Sequence, residues 1–172
     1  IVINERHLGL MTPNEATDVA GKIDMLANIV AANVDVDRVA SEVAGSVAAT
    51  PRPTSAAADA ARVTIAYARD AAFGFYYPDD LEALSRAGAD LRPFDSLRDD
   101  ALPPAEGLII GGGFPEILAP RLSANTAMRA SIRQALEGGM PAYAECGGLM
   151  YLSRGLRYLD QQYPMVGFVP GD

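Results

Sequence analysis

The sequence predicts an α/β fold built on a doubly wound, mainly parallel sheet. From residue 62 onward, short apolar runs alternate with helical patterns: VTIAYA (63–68), PDDLEALSRAG (78–88), GLIIGG (107–112), SANTAMRASIRQALEGG (123–139) and PAYAE (141–145). Alternation of this kind implies parallel strands joined by right-handed crossovers. Two glycine-rich turns, GGGFPE (111–116) and ECGG (145–148), follow directly on strand-like runs. Turns in that position lie beyond the carboxyl ends of the strands, where such sheets bind their ligands.

The elements can be justified in order. Residues 12–45 are alanine-rich and helical in period, with Pro13 and Asn14 marking a start and Val19, Ile23, Leu26, Ile29 and Val30 recurring at three- and four-residue spacings. A shorter helix is predicted over 36–44, with Asp35 or Asp37 able to cap its first turn. SVAATPRPTSAAADAA (46–61) has two prolines, many small residues and no apolar face, and reads as a linker. VTIAYA is a buried strand. PDDLEALSRAG places Pro78 in the first helical turn, acidic residues beside it, and Gly88 where the helix must stop. ADLRPF (89–94) is a weaker strand and GLIIGG a third. The next helix opens on Ser123 as its capping residue, sets Met128, Ile132 and Leu136 on one face, and ends at glycine. PAYAE is a fourth strand running into Cys146.

Composition narrows the function classes. A chain of 172 residues can bury a sizeable core. No apolar run approaches the roughly 18–20 residues that span a bilayer, and IVINERHLGL is not a secretory signal. The net charge of −8, with no basic run, argues against nucleic acid as a partner. A single cysteine excludes an internal disulfide and fits a reducing cytoplasm. One cysteine and one histidine also leave little for a transition metal, so no metal site is expected. The chain begins without methionine on what reads as the end of a strand, which suggests a piece of a longer protein.

Cys146 has two readings. A lone cysteine in an apolar setting usually packs as a small inert residue. A strand, then cysteine, then glycines, then a helix is also the layout of a nucleophile elbow, although Ala144 replaces the first glycine of the five-residue frame. In the second reading, the start of the following helix favours the thiolate. The N–H of Gly147 then points where an oxyanion would form, and Gly113 of the GGGFPE loop supplies a second donor. The glycine loop fits neither nucleotide fingerprint. Glu116 stands where a dinucleotide-binding turn needs its third glycine, and Gly21–Lys22 lacks the rest of a P-loop, so no cofactor-binding residues are expected here.

Taken together, ERHLGL (5–10), DAAFGFYYPDDLEAL (70–84), LPPAEGLIIGGGFPE (102–116) and AYAECGGLMYL (142–152) resemble the cobalamin-pathway family of glutamine amidotransferases. Within it, the chain is similar to the C-terminal half of cobyrinic (or hydrogenobyrinic) acid a,c-diamide synthases. The resemblance implies a flavodoxin-like class I amidotransferase domain at 62–172, incomplete at its C-terminal end. It also implies a linker at 49–61 and the helical tail of an ATP-dependent synthetase domain at 1–48. It implies glutamine as amide donor, with ATP and Mg²⁺ used by the synthetase part to activate corrin carboxylates. By the same resemblance Cys146 is the nucleophile, with Gly147 and Gly113 as oxyanion donors, while the catalytic histidine lies downstream of these residues. His7 falls in the synthetase-like motif and is not that histidine.

The implied partners are the chain's own synthetase domain, glutamine and a tetrapyrrole carboxylate in a cytoplasmic enzyme, with an oligomer possible. The chain alone is expected to be inactive. Glu116 and Glu145 receive no role. FGFYYP (73–78) is either a packed loop or part of the interface with the synthetase. The alternatives are a non-catalytic scaffolding or binding module of the same fold, and amidation of another tetrapyrrole such as a sirohydrochlorin.

Overall fold

The computed structural model describes residues 18–44 and 62–171, which fall into two compact units. The expected linker at 49–61, His7, and the helix start at Pro13 and Asn14 lie outside the described residues.

The first unit is a pair of helices, α1 (Val19–Asn33) and α2 (Val36–Ala44). Asp18 caps α1, its carboxylate accepting from the Gly21 N–H at 3.2 Å. Of the two candidate caps for α2, Asp35 fills the role by accepting from the Arg38 N–H at 2.9 Å. Neither helix has a buried residue.

The second unit carries the sheet. Its strands are β1 (Val63–Ala68), β3 (Ala89–Phe94), β4 (Gly107–Ile110) and β6 (Ala142–Ala144), all parallel in the order β3-β1-β4-β6. This is the predicted doubly wound α/β architecture. β1 is central, and Ala66, Tyr67 and Ala68 at its carboxyl end are all buried, as its uninterrupted apolar run requires. β3 is an edge strand, so Pro93 costs no ladder bond on its open side.

The helix α3 (Pro78–Arg86) has Pro at its first turn and ends before Gly88, which adopts φ 103°. Two helices then precede β6: α4 (Ala119–Ala124) and α5 (Thr126–Glu137). The expected cap at Ser123 is corrected, because that residue sits inside α4. Asn125 caps α5 instead, its side chain accepting from the Met128 N–H. A short helix ending one residue before the cap displaced the start by two positions. Met128, Ile132 and Leu136 are buried in one cluster with Leu108 and Ile110 of β4. Each such side chain contributes about 1.5–3 kcal/mol.

Two antiparallel pairs were not predicted, and one of them takes Gly112 from the predicted run GLIIGG, whose parallel strand stops at Ile110. One joins β2 (Phe73–Phe75) to β5 (Gly112–Gly113), and the other joins β7 (Gly155–Tyr158) to β8 (Gln161–Pro164). Leu159 and Asp160 turn the second hairpin at φ 47° and 58°. The helix α6 (Gly147–Leu152) connects β6 to this hairpin and buries Tyr151 and Leu152.

Candidate functional site

Cys146 lies between β6 and α6, in the position predicted for an elbow residue. Its backbone is at φ 47°, ψ −114°, a conformation that residues with a side chain rarely adopt. Such a conformation costs on the order of 1–3 kcal/mol and is held only by its surroundings. The surroundings can be named. The Glu145 N–H donates to the Ile110 carbonyl of β4, the Gly148 N–H to the Glu145 carbonyl, and the Met150 N–H to the Cys146 carbonyl. The thiol is free and exposed. The inert-packing reading of Cys146 requires a buried side chain, and this one is not buried.

The glycines beside Cys146 are required by close approach. A Cβ on Gly148 would stand 2.1 Å from the Ile110 carbonyl oxygen. A Cβ on Gly147 would meet Pro115 Cδ at 2.8 Å, and the carbonyl oxygen and amide nitrogen of Gly113 at 2.9 and 3.2 Å. The structure thus brings Cys146, Gly147 and Gly113 together. Gly147 is the first residue of α6, so its N–H has no carbonyl within the helix to receive it. Gly112 flanks the same space, with its added Cβ 3.8 Å from Cys146 Cβ.

The GGG turn is held from the other side by residues 70–76. Gly112 and Gly113 pair with Phe75 and Phe73 across β2 and β5. The Phe114 N–H donates to the Ala72 carbonyl at 3.1 Å. The Tyr76 hydroxyl accepts from the Gly111 N–H at 2.9 Å and donates to the Ala68 carbonyl at 2.6 Å. Burial pushes the Tyr76 phenol up to about 12, although the Gly111 bond works against the shift. Asp70, 6% exposed, anchors the 70–73 turn. Burial raises its carboxyl above the usual range, while hydrogen bonds from Ser96, Ala72 and Phe73 pull it back.

FGFYYP therefore divides: Phe73 is buried, Phe75 and Tyr76 are half-buried, and Tyr77 is 78% exposed. Phe75, Tyr76, Leu81, Ile109 and Tyr143 line an apolar groove of about 550 Å³ beside the elbow. Glu145 is exposed, and its carboxylate accepts from the Tyr143 hydroxyl at 2.8 Å. Glu116 is half-buried in the turn between β5 and α4. Sequence reasoning missed Asp70 and Tyr76. The available signal was an aspartate at the end of a strand just before a chain reversal, where its side chain accepts local N–H groups.

No group of three or more His, Cys, Asp or Glu among the described residues could hold a metal ion, and none of the helices there is long and apolar enough to cross a membrane.

Residues 64–172 match the CobB/CobQ-like glutamine amidotransferase domain. The chain belongs to this family. Among curated proteins it is 43% identical over 173 residues to a cobyrinate a,c-diamide synthase of Listeria innocua, covering 99% of this chain and 38% of that protein. A protein of the same name from Dehalococcoides mccartyi strain 195 is 45% identical over 177 residues, again with 99% and 38% coverage. The resemblance read from the motifs is borne out over nearly the whole chain, which spans about 38% of the length of these relatives. A solved structure of a candidate peptidase E from Listeria monocytogenes EGD-e superposes with a TM-score of 0.50, at 16% identity over 62% of this chain and 63% of that one. At that identity the likeness concerns the fold, and it agrees with a class I amidotransferase-like sheet.

Proposed function

We propose that this chain is the glutamine-hydrolysing part of a larger amidotransferase, with Cys146 as its nucleophile. The observation that carries the reading is the exposed thiol on a strained strand-to-helix turn, with Gly147 packed against the Gly113 backbone. The Cys146 thiolate adds to the carboxamide carbon of glutamine. The negative charge that develops on its oxygen is received by the N–H groups of Gly147 and Gly113, which need no reorganisation at that moment. Collapse breaks the C–N bond, and nitrogen leaves as ammonia with a proton from a general acid. Water then hydrolyses the thioester to glutamate and restores the thiol.

The proton carrier is not assigned to a described residue. The chain has one histidine, His7, in its synthetase-like segment, and the 172 residues alone are expected to turn over glutamine poorly. In the whole protein, ammonia is passed to a synthetase part that uses ATP and Mg²⁺ to activate the a and c carboxylates of cobyrinic or hydrogenobyrinic acid. The printed names of the relatives, and the length by which they exceed this chain, support that assignment.

The test is covalent trapping. A glutamine-derived diazoketone should label the full-length protein once, at Cys146, with glutamine protecting and Cys146→Ser abolishing the adduct. A folded protein that stays unlabelled would instead make this chain a non-catalytic module of the same fold.

A further inference from the structure

Asp70 is a buried carboxylate with more donors than a simple turn needs. One oxygen, Oδ1, accepts from the Ala72 and Phe73 N–H groups at 2.7 and 3.1 Å. The other, Oδ2, accepts from the Ser96 N–H and hydroxyl at 2.6 and 2.7 Å. The Asp70 N–H also closes the turn onto the Phe73 carbonyl at 3.1 Å. Burying a charge is costly unless it is hydrogen-bonded, and here both oxygens are. An amide in its place would turn a donor toward either the turn or Ser96, which already offer donors.

The turn that Asp70 closes leads to the elbow. Its Ala72 carbonyl takes the Phe114 N–H and approaches Gly113 so closely that a Cβ there would lie 1.8 Å from the oxygen. Phe73, bound to the carboxylate through its N–H, is the residue paired with Gly113. Tyr76 ties the other end of the glycine run, bridging the Gly111 N–H to the Ala68 carbonyl at the end of β1. Both ends of the GGG turn are therefore fixed to the carboxyl end of the central strand, which is itself buried.

We propose that Asp70 and Tyr76 are positioning residues for glutamine hydrolysis. Through the 70–73 turn and the Gly111 bond, they hold the Gly113 N–H where the oxyanion forms. This rests on the assignment of Cys146, Gly147 and Gly113 made above. A donor loop displaced by a fraction of an ångström weakens transition-state stabilisation more than it weakens ground-state binding. The predicted signature is a loss in kcat with KM largely kept.

The experiment uses full-length protein and measures glutamine hydrolysis, folding, and alkylation of Cys146 by iodoacetamide, a displacement that forms no oxyanion. Asp70→Asn and Tyr76→Phe should each lower kcat by roughly 10- to 100-fold. KM should stay within about threefold, and iodoacetamide should react at the wild-type rate. A core variant of matched stability, such as Ile132→Val, should keep kcat. Wild-type kcat in folded Asp70→Asn or in Tyr76→Phe overturns the proposal, as does an equal loss in the matched core variant. If Asp70→Asn does not fold, Tyr76→Phe alone decides by the same criterion. Failure of the underlying reading is separately visible, since Cys146→Ser would then hydrolyse glutamine normally.

Discussion

Gly148→Ala should damage the elbow far more than one methyl group suggests. The added Cβ would lie 2.1 Å from the Ile110 carbonyl oxygen and 2.8 Å from its carbon. Both atoms belong to the backbone of β4, in the interior of the sheet, and no side-chain rotation relieves the contact. Restoring an ordinary separation requires α6 and β4 to part by about 1 Å, at the upper end of the cost of overpacking, about 3 kcal/mol or more. The movement would also loosen Tyr151 and Leu152, which α6 buries in the core. Two other glycines calibrate the reasoning. Gly171 has nothing within 4 Å of an added Cβ, so Gly171→Ala should stay within about 0.5 kcal/mol of wild type. Gly139 is equally open but sits at φ 91°, so Gly139→Ala should cost only the backbone penalty, about 1–2 kcal/mol. Denaturant unfolding should show the largest loss for Gly148→Ala, a smaller one for Gly139→Ala and the least for Gly171→Ala. The rate of Cys146 alkylation should change only in Gly148→Ala. A Gly148→Ala protein as stable as Gly171→Ala, with unchanged Cys146 reactivity, would refute the close-approach account of the elbow.

Two further outcomes are expected. Tyr151 is fully buried, yet its hydroxyl has no hydrogen-bond partner among the described residues, so Tyr151→Phe should raise stability by about 1 kcal/mol, whereas a clear fall in Tm would mean the hydroxyl is satisfied. The Tyr76 phenol is raised to about 12 in the folded chain against about 10 when unfolded, so the unfolded state releases its proton first and stability present below pH ~10 is lost as pH rises toward 12. That loss amounts to at most roughly 2–3 kcal/mol; Tyr76→Phe should flatten this part of an alkaline unfolding series, and an unchanged slope would contradict the burial of the phenol.

The parallel sheet was legible because its signals are long and local. β1 and β4 are apolar runs, α3 is bounded by Pro78 and Gly88, and α5 carries its buried residues at four-residue spacing. The antiparallel pairs were not legible. β2 and β5 have three and two residues, too few for an alternating pattern, and β5 consists of glycine alone. The hairpin turn uses Leu159 and Asp160 at positive φ, where a sequence reading looks for Asn-Gly or Asp-Gly. Ser123 had the chemistry of a cap, but so did Asn125, and only the termination of α4 decides between them. The elbow was visible as residue types in a sequence order. Its support was not, because Asp70 acts on residues 26 positions away and Tyr76 on one 35 away.

That difference bears on how the site is built. Gly113 and Gly147 are 34 positions apart, and each looks in isolation like a flexible turn residue. Neither has a positive φ, and neither is used for conformational freedom. Both lack a side chain because another part of the chain occupies the space: the Ala72 carbonyl beside Gly113, and Pro115 with the Gly113 backbone beside Gly147. The elbow and the glycine turn are therefore packed directly against each other. The strain at Cys146 can persist because the pair is closed on three sides, by β4 through Ile110, by the 70–73 turn through Ala72, and by Tyr76 through Gly111. A substitution that opens the β4 side should register at the thiol, whereas one that opens the 70–73 or Tyr76 side should register in the Gly113 donor and leave the alkylation rate unchanged.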